Sequence, residues 1–306
     1  METYCFYHRD LDGITSAAEV LHQYPEAKFI PVDYRDMYDQ YDLSNARVIV
    51  VDFSFPDMSA LQASCKELIW IDHHRTAYDM QRRAWKSTDI AGYRSLNFAG
   101  CMLTYAYFNK ISLGDIRDSV IPPAIQYVNS YDLWQFTQGD DVDAFCATAY
   151  LEWEKPVDVP YDLFFNISMN VESCSVKGYI EKGILLLKAA DKRVSYLANR
   201  DKIQQITTAQ EVKINLLFTN ATSDISKLGS YVNTERNCDI AAIYEIVDGN
   251  IRIHLRSRTC NVEPIAKALG GGGHPGAASY NTLDSVESAR DKLCAAIFRI
   301  PNLKER

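Results

Sequence analysis

Short apolar runs that stop abruptly at acids and histidines set the rhythm of the first half of the chain. Leu68, Ile69, Trp70 and Ile71 form one such run, too short for a typical helix, and Asp72, His73, His74 and Arg75 follow at once. An uninterrupted apolar stretch of this length suits a strand buried on both faces, as in a parallel sheet. Residues 48–51 repeat the design, β-branched throughout and ending at Asp52. Residues 3–7 and 28–32 read as two further strands, and residues 14–21 and 59–66 as helices between strands. Strand alternating with helix predicts a parallel α/β sheet.

Further along, the spacing predicts helices over 98–111 and 115–130, the second closely followed by Asp132. A loop is expected around 157–160, between Pro156 and Pro160. Ile180, Ile184, Leu187, Val194 and Leu197 then recur at helical intervals and predict one long helix over 176–199. Beyond about residue 202 the pattern changes. Strands are expected at 213–218, 240–247 and 251–255, with a hairpin turn at Asp248-Gly249 or Gly249-Asn250. A helix over 262–268, a run of four glycines ending at Gly273 before His274, and a closing helix over 289–298 complete the chain. The fold class expected is α/β, in three parts. Residues 1–175 form a parallel-sheet domain with a helical insert, 176–201 a helical connector, and 202–306 a smaller mixed α/β domain.

Candidate chemistry collects at the strand ends. In open α/β sheets ligands bind beyond the carboxyl ends of the strands. Three strands there end in His8, Asp10 and Asp12, in Asp52, and in Asp72 and His73. His8, Asp10 and Asp12 alternate, so an extended segment would aim all three the same way. Two carboxylates and an imidazole on one side are costly without a cation between them. The plainer alternatives are a polar turn after the fourth strand and a solvated loop with an Asp helix cap after the first. Three strands sharing the habit favour one metal site. In the last predicted strand Ile251, Ile253 and Leu255 alternate with Arg252, His254 and Arg256, one apolar face and one basic. An outward solvated face is the alternative. Arg252, Arg256 and Arg258 are expected beside the glycine run, where backbone N–H groups could approach a phosphate.

Charge narrows the partners. The chain of 306 residues carries a net charge of -8, which argues against a broad basic surface for long duplex DNA and leaves room for a local anion pocket. Eight cysteines are scattered with no Cys-x-x-Cys pair, as expected of free thiols in a reducing cytoplasm. No apolar run approaches a membrane span.

His8-Arg9-Asp10-Leu11-Asp12-Gly13, Asp52, Asp72-His73-His74, Asp132, Arg256-Ser257 and Gly271-Gly272-Gly273-His274, in this order, resemble the DHH phosphoesterase superfamily with its associated C-terminal domain. That superfamily includes RecJ nucleases, nanoRNases, cyclic-dinucleotide phosphodiesterases and family II pyrophosphatases. The resemblance implies two divalent metal ions, manganese by preference, and an active site in the cleft between the two domains. One ion would be held by His8, Asp10 and Asp52, and the other by Asp12, Asp52, His73 and Asp132. Asp72 would sit behind, fixing a tautomer, while His74 faces the substrate phosphate. Arg75, Arg256, Ser257, Gly271, Gly272, Gly273 and His274 would hold the substrate, with Arg256 and His274 as its clamp.

The implied reaction is hydrolysis of short single-stranded oligonucleotides to 5′-mononucleotides by a metal-bridging hydroxide. Cyclic mono- or dinucleotides and short-chain polyphosphate are rival substrates, and an inactive nucleotide sensor is a rival of another class. A homodimer is a family-level expectation only. Stacking on an aromatic would mark a base-bearing substrate, but 19 tyrosines leave that residue unassigned.

Overall fold

The computed structural model describes residues 1–33, 36–133, 140–160, 163 and 176–304. The chain divides into two compact units, Met1–Leu187 and Lys188–Arg306. The end of the expected first domain, residues 164–175, lies outside the described residues.

In the first unit the strands are β1 (Thr3–His8), β2 (Lys28–Val32), β3 (Arg47–Val51) and β4 (Glu67–Ile71). They form one sheet in the order β2-β1-β3-β4, with every pairing parallel. The helices are α1 (Leu11–Gln23), α2 (Met58–Ser64), α3 (Arg75–Met80), α4 (Arg82–Trp85), α5 (Gly100–Phe108), α6 (Pro123–Asp132) and α7 (Asp140–Glu152). The long helix α8 (Val176–Arg200) carries the chain into the second unit.

Both faces of the sheet are covered, which is why its strands read as unbroken apolar runs. Cys5, Tyr7, Ile49, Val51, Ile69 and Ile71 pack on one side with α1, α5, α6 and α7. Phe6, Val48, Val50, Leu68 and Trp70 pack on the other with α2 and α4. Register decides where the strands stop. Tyr7 pairs with Val51 and Val51 with Ile71, so His8, Asp52 and Asp72 leave the sheet at one level.

Two sequence expectations need correction here. The helix expected over 115–130 is broken into a single 3-10 turn, Ile116–Asp118, and α6. Pro122 and Pro123 lack N–H donors, so the helix restarts with Pro123 in its first turn. His8, Asp10 and Asp12 do not share an extended segment. His8 ends β1, Asp10 caps α1 by accepting the Gly13 N–H at 2.9 Å, and Asp12 lies in the first helical turn. They converge because the chain turns between them.

The second unit holds β5 (Ile203–Thr207), β6 (Lys213–Asn220), β7 (Ile240–Val247), β8 (Asn250–Arg256), β9 (Gly272–His274) and β10 (Ala277–Thr282), with α9 (Ile225–Glu235), α10 (Glu263–Ala268) and α11 (Val286–Arg299). Its mixed sheet runs β5-β6-β7-β8-β10-β9. Only β6 and β7 pair parallel. The glycine run is not an open loop, as expected, but leads into edge strand β9. A Cβ on Gly271 would lie 2.0 Å from the Ser279 carbonyl oxygen, and one on Gly273 would lie 2.5 Å from Ala278 Cα. Close backbone packing explains those two glycines, whereas Gly272 borders open space.

Candidate metal centre

The centre is built around Asp52, the residue after β3, which is 1% exposed. Its φ of 53° is in the left-handed region that residues with a Cβ seldom adopt. Two groups of side chains flank it. His8, Asp10 and Asp52 offer donor atoms close enough to share one ion, and so do Asp12, His73 and Asp132. Asp52 reaches both: its Oδ2 is 3.8 Å from His8 Nδ1, and its Oδ1 is 3.1 Å from His73 Nε2. His8 Nδ1 lies 2.6 Å from Asp10 Oδ2, while His73 Nε2 lies 3.5 Å from Asp12 Oδ2 and 3.4 Å from Asp132 Oδ2.

Secondary structure aims each group. The amino terminus of α5 donates from Gly100 N and Cys101 N to the two oxygens of Asp12, at 2.7 and 2.8 Å. A carboxylate at a helix start is favoured by the helix dipole as well. Asn129 of α6 accepts the Ala99 N–H at 2.9 Å and so ties α6 to the start of α5. Asp132 is the last residue of α6. Gly100 leaves the hollow open: a Cβ there would lie 2.6 Å from Asp52 Cβ and 3.0 Å from Asp12 Oδ2.

Behind the ligand groups, Asp72 is fully buried and acts as a junction. Its Oδ1 accepts from the backbone N–H of His73 and of His74, at 2.7 and 3.1 Å, and pairs with His74 Nδ1 at 2.8 Å. Its Oδ2 accepts from the Ser54 hydroxyl, which in turn accepts from Trp70 Nε1 at 3.0 Å. Arg94 spans the same region, donating to the Trp70, Trp85, Ser87 and Ile90 carbonyls.

The electrostatics call for positive charge. Burial, then the charges of Asp12 and Asp10, push the Asp52 pKa well above the carboxylate range. The same causes raise Asp132 to about 8, with His74 partly offsetting them. Burial lowers the His73 pKa, which favours the neutral imidazole that ligates metals. Burial would lower His74 too, but its bond to ionised Asp72 prevails and lifts it to about 9. Neither Asp52 oxygen accepts a hydrogen bond of good geometry, although both are buried. Carboxylate and imidazole donors without thiolates suit manganese, magnesium and similar divalent ions. The residues fit such a pair of ions.

No protein-family model matches the sequence. Among solved structures, the DHH domain of a member of the S1p family of ribosomal proteins matches with a TM-score of 0.55 and 14% identity, over 98% of this chain and 87% of that one. A pGpG-specific phosphodiesterase from Vibrio cholerae matches at 0.52 and 12%, over 97% and 99%. The exonuclease RecJ bound to manganese matches at 0.50 and 13%, over 100% and 92%. The chain has the DHH fold.

Within this DHH fold the structure brings together His8, Asp10, Asp12, Asp52, His73 and Asp132, with Asp72 and His74 beside them. Arg75, at the start of α3, is exposed and pairs with Asp79 at 3.3 Å. In the second unit, Arg256 and His274 both lie opposite Ala277 in the sheet. They therefore share a row and a face, two strand spacings or about 10 Å apart. Ser257 differs from its neighbours: it is buried, and its hydroxyl donates to the Asp239 carbonyl and accepts from Cys260 N. That bonding stitches the loop after β8. Arg252 is also displaced from its expected place. It faces Asn281 near the far end of β8, and it shares Glu245 with His254.

Sequence reasoning missed Gly100, Ser54, Arg94 and Asn129. Of these only Gly100, at the start of an apolar helix, leaves a trace in the sequence. No described helix is long and apolar enough to cross a membrane.

Proposed function

We propose that the protein is a metal-dependent phosphodiesterase that hydrolyses short oligonucleotides to 5′-mononucleotides, with manganese as its preferred ion. The observation that carries this reading is the buried Asp52 carboxylate between two groups of candidate ligands, neither of its oxygens accepting a hydrogen bond of good geometry among the described residues. His8, Asp10 and Asp52 would hold one ion, and Asp12, Asp52, His73 and Asp132 the other. When bound, such a pair supplies Lewis acidity at a phosphoryl group and lowers the pKa of water.

The chain's own residues have separable tasks. Asp72 fixes the His74 ring through Nδ1, so the imidazolium presents its Nε2–H to an anionic substrate as a charge-assisted donor. Asp72 also accepts from two successive backbone amides, which fixes the turn that carries His73. Arg256 and His274 bind the anionic end of the substrate. Similarity to a pGpG-specific phosphodiesterase along nearly its whole length supports a substrate of dinucleotide size. The acidic chain supports the same limit, since a long polyanion gains little from general attraction to it.

The test is a product assay in manganese with dinucleotides, a length series up to a 20-mer, cyclic nucleotides and tripolyphosphate. Turnover greatest at two to five nucleotides, with 5′-mononucleotide products, is expected. A rate that climbs steadily with length, or activity on polyphosphate alone, would overturn the substrate assignment.

A further inference from the structure

The proposed reaction on oligonucleotides leaves open which side chain holds a base, and an aromatic side chain next to a candidate ligand bears on this. Tyr150, near the end of α7, is 52% exposed, while Cys146 and Ala149 on the same helix are buried. Among the described residues of the first unit it is the one exposed aromatic. Its ring meets Tyr131 edge-on, with centroids 6.0 Å apart. Tyr131 directly precedes the ligand-group residue Asp132. The phenol pKa of Tyr150 is raised, first by burial and then by the charges around it, among them Asp10 and Asp132. Through Tyr131 the ring is therefore one residue removed in sequence from the second ligand group.

The support under the ring is firm. Phe145 of α7 packs against Tyr127 of α6 with centroids 5.4 Å apart, and Cys146 Sγ reaches the Tyr127 carbonyl. A half-exposed aromatic side chain near carboxylates gains little from them, because the negative face of an aromatic ring is not attracted to anions. It gains when another flat, apolar surface covers it. Nucleobases offer such surfaces, and every base can stack on an aromatic.

We propose that Tyr150 is the platform on which a base of the substrate stacks, so that the substrate class is a base-bearing phosphodiester and not a bare phosphate chain. This rests on the phosphodiesterase reading for its chemistry, but not for its binding test. The experiment compares a guanine dinucleotide with its abasic counterpart on wild-type protein, Y150A, Y150F and Y150W in manganese. The wild-type preference in kcat/KM for the based substrate should fall roughly tenfold in Y150A, mainly through KM, and should persist in Y150F and Y150W. Equal losses on both substrates, or no loss, would overturn the proposal. Calorimetric titration of the dinucleotide in calcium separates the two readings. If wild-type protein turns over neither substrate, the phosphodiesterase reading fails. A tenfold weaker Kd in Y150A would still support the platform, and an unchanged Kd would reject it.

Discussion

Asp52 combines three costs in one residue: a left-handed backbone, near-complete burial, and a carboxylate facing other carboxylates. Each is unfavourable alone, and a bound cation offsets the last two directly. Asp52→Asn keeps the shape and removes the charge. It should lower manganese binding at both positions and reduce turnover by at least a hundredfold, measured by metal analysis after gel filtration and by dinucleotide assay. Two ions per chain with wild-type turnover would contradict the shared-ligand role.

The protonation of these residues predicts a pH signature in the metal-free protein. A raised carboxylate pKa means the folded state holds protons that the unfolded state releases, so the contribution of Asp132 is lost as pH rises from about 4 to about 8. His74, raised from 6.5 to about 9, loses its contribution as pH rises through that interval. His73 acts oppositely but below its ordinary pKa of 6.5. The Tm without metal should therefore fall from pH 6.5 to 9, and excess manganese should flatten or reverse the slope. Scanning calorimetry with and without chelator decides this.

The acids and histidines that converge here were legible at this scale because they stand out after apolar runs. Ser54 and Arg94 were not legible, because a serine or arginine shows its partners only once distant carbonyls and carboxylates have been brought to it.

Among the elements, α5 does more than cover the sheet. Its first turn delivers two N–H groups to Asp12, and its first residue must lack a side chain. Gly100→Ala would force a methyl against Asp52 and Asp12. The expected result is a loss of about 1–3 kcal/mol in stability, as for other overpacked sites, together with weakened metal binding. Chemical denaturation and metal titration of the variant measure both, and unchanged values for both would refute the cradle. Parallel strands and long helices were plain from period and composition. The split of 115–130 was marked by two prolines, yet helical spacing on either side masked it. The short edge strand β9 was hidden because glycine is depleted in strands, and here close pairing with β10 requires it.

For the molecule as a whole, the proposed reading gives the metal ligands to the first unit and the roles of Arg256 and His274 to the second. Arg256→Ala and His274→Ala should leave metal content and Tm near wild type while lowering kcat/KM ten- to hundredfold, the scale of one charge-assisted contact. Loss of metal or of folding in either variant would assign those residues a structural role instead. The two-part organisation showed in the sequence as a change from isolated apolar runs to alternating strands. Which of Arg252, Arg256 and Arg258 bordered the glycines did not, because strand register is a tertiary property.

The common level at which β1, β3 and β4 end also governs how such a chain can change over time. The centre needs three strand lengths and a register, whereas the apolar residues between need only volume and hydrophobicity. Exchanging one apolar residue for another along those strands leaves His8, Asp52 and Asp72 where they are. One residue inserted before Asp52 would move its carboxylate about 3.3 Å along the strand and exchange the two faces to which the β3 side chains point. Substitution is therefore cheap in these strands and insertion ruinous. A chain under that rule can change most of its apolar residues and still keep every strand end in place, which fits a fold shared with structures at only 12–14% identity.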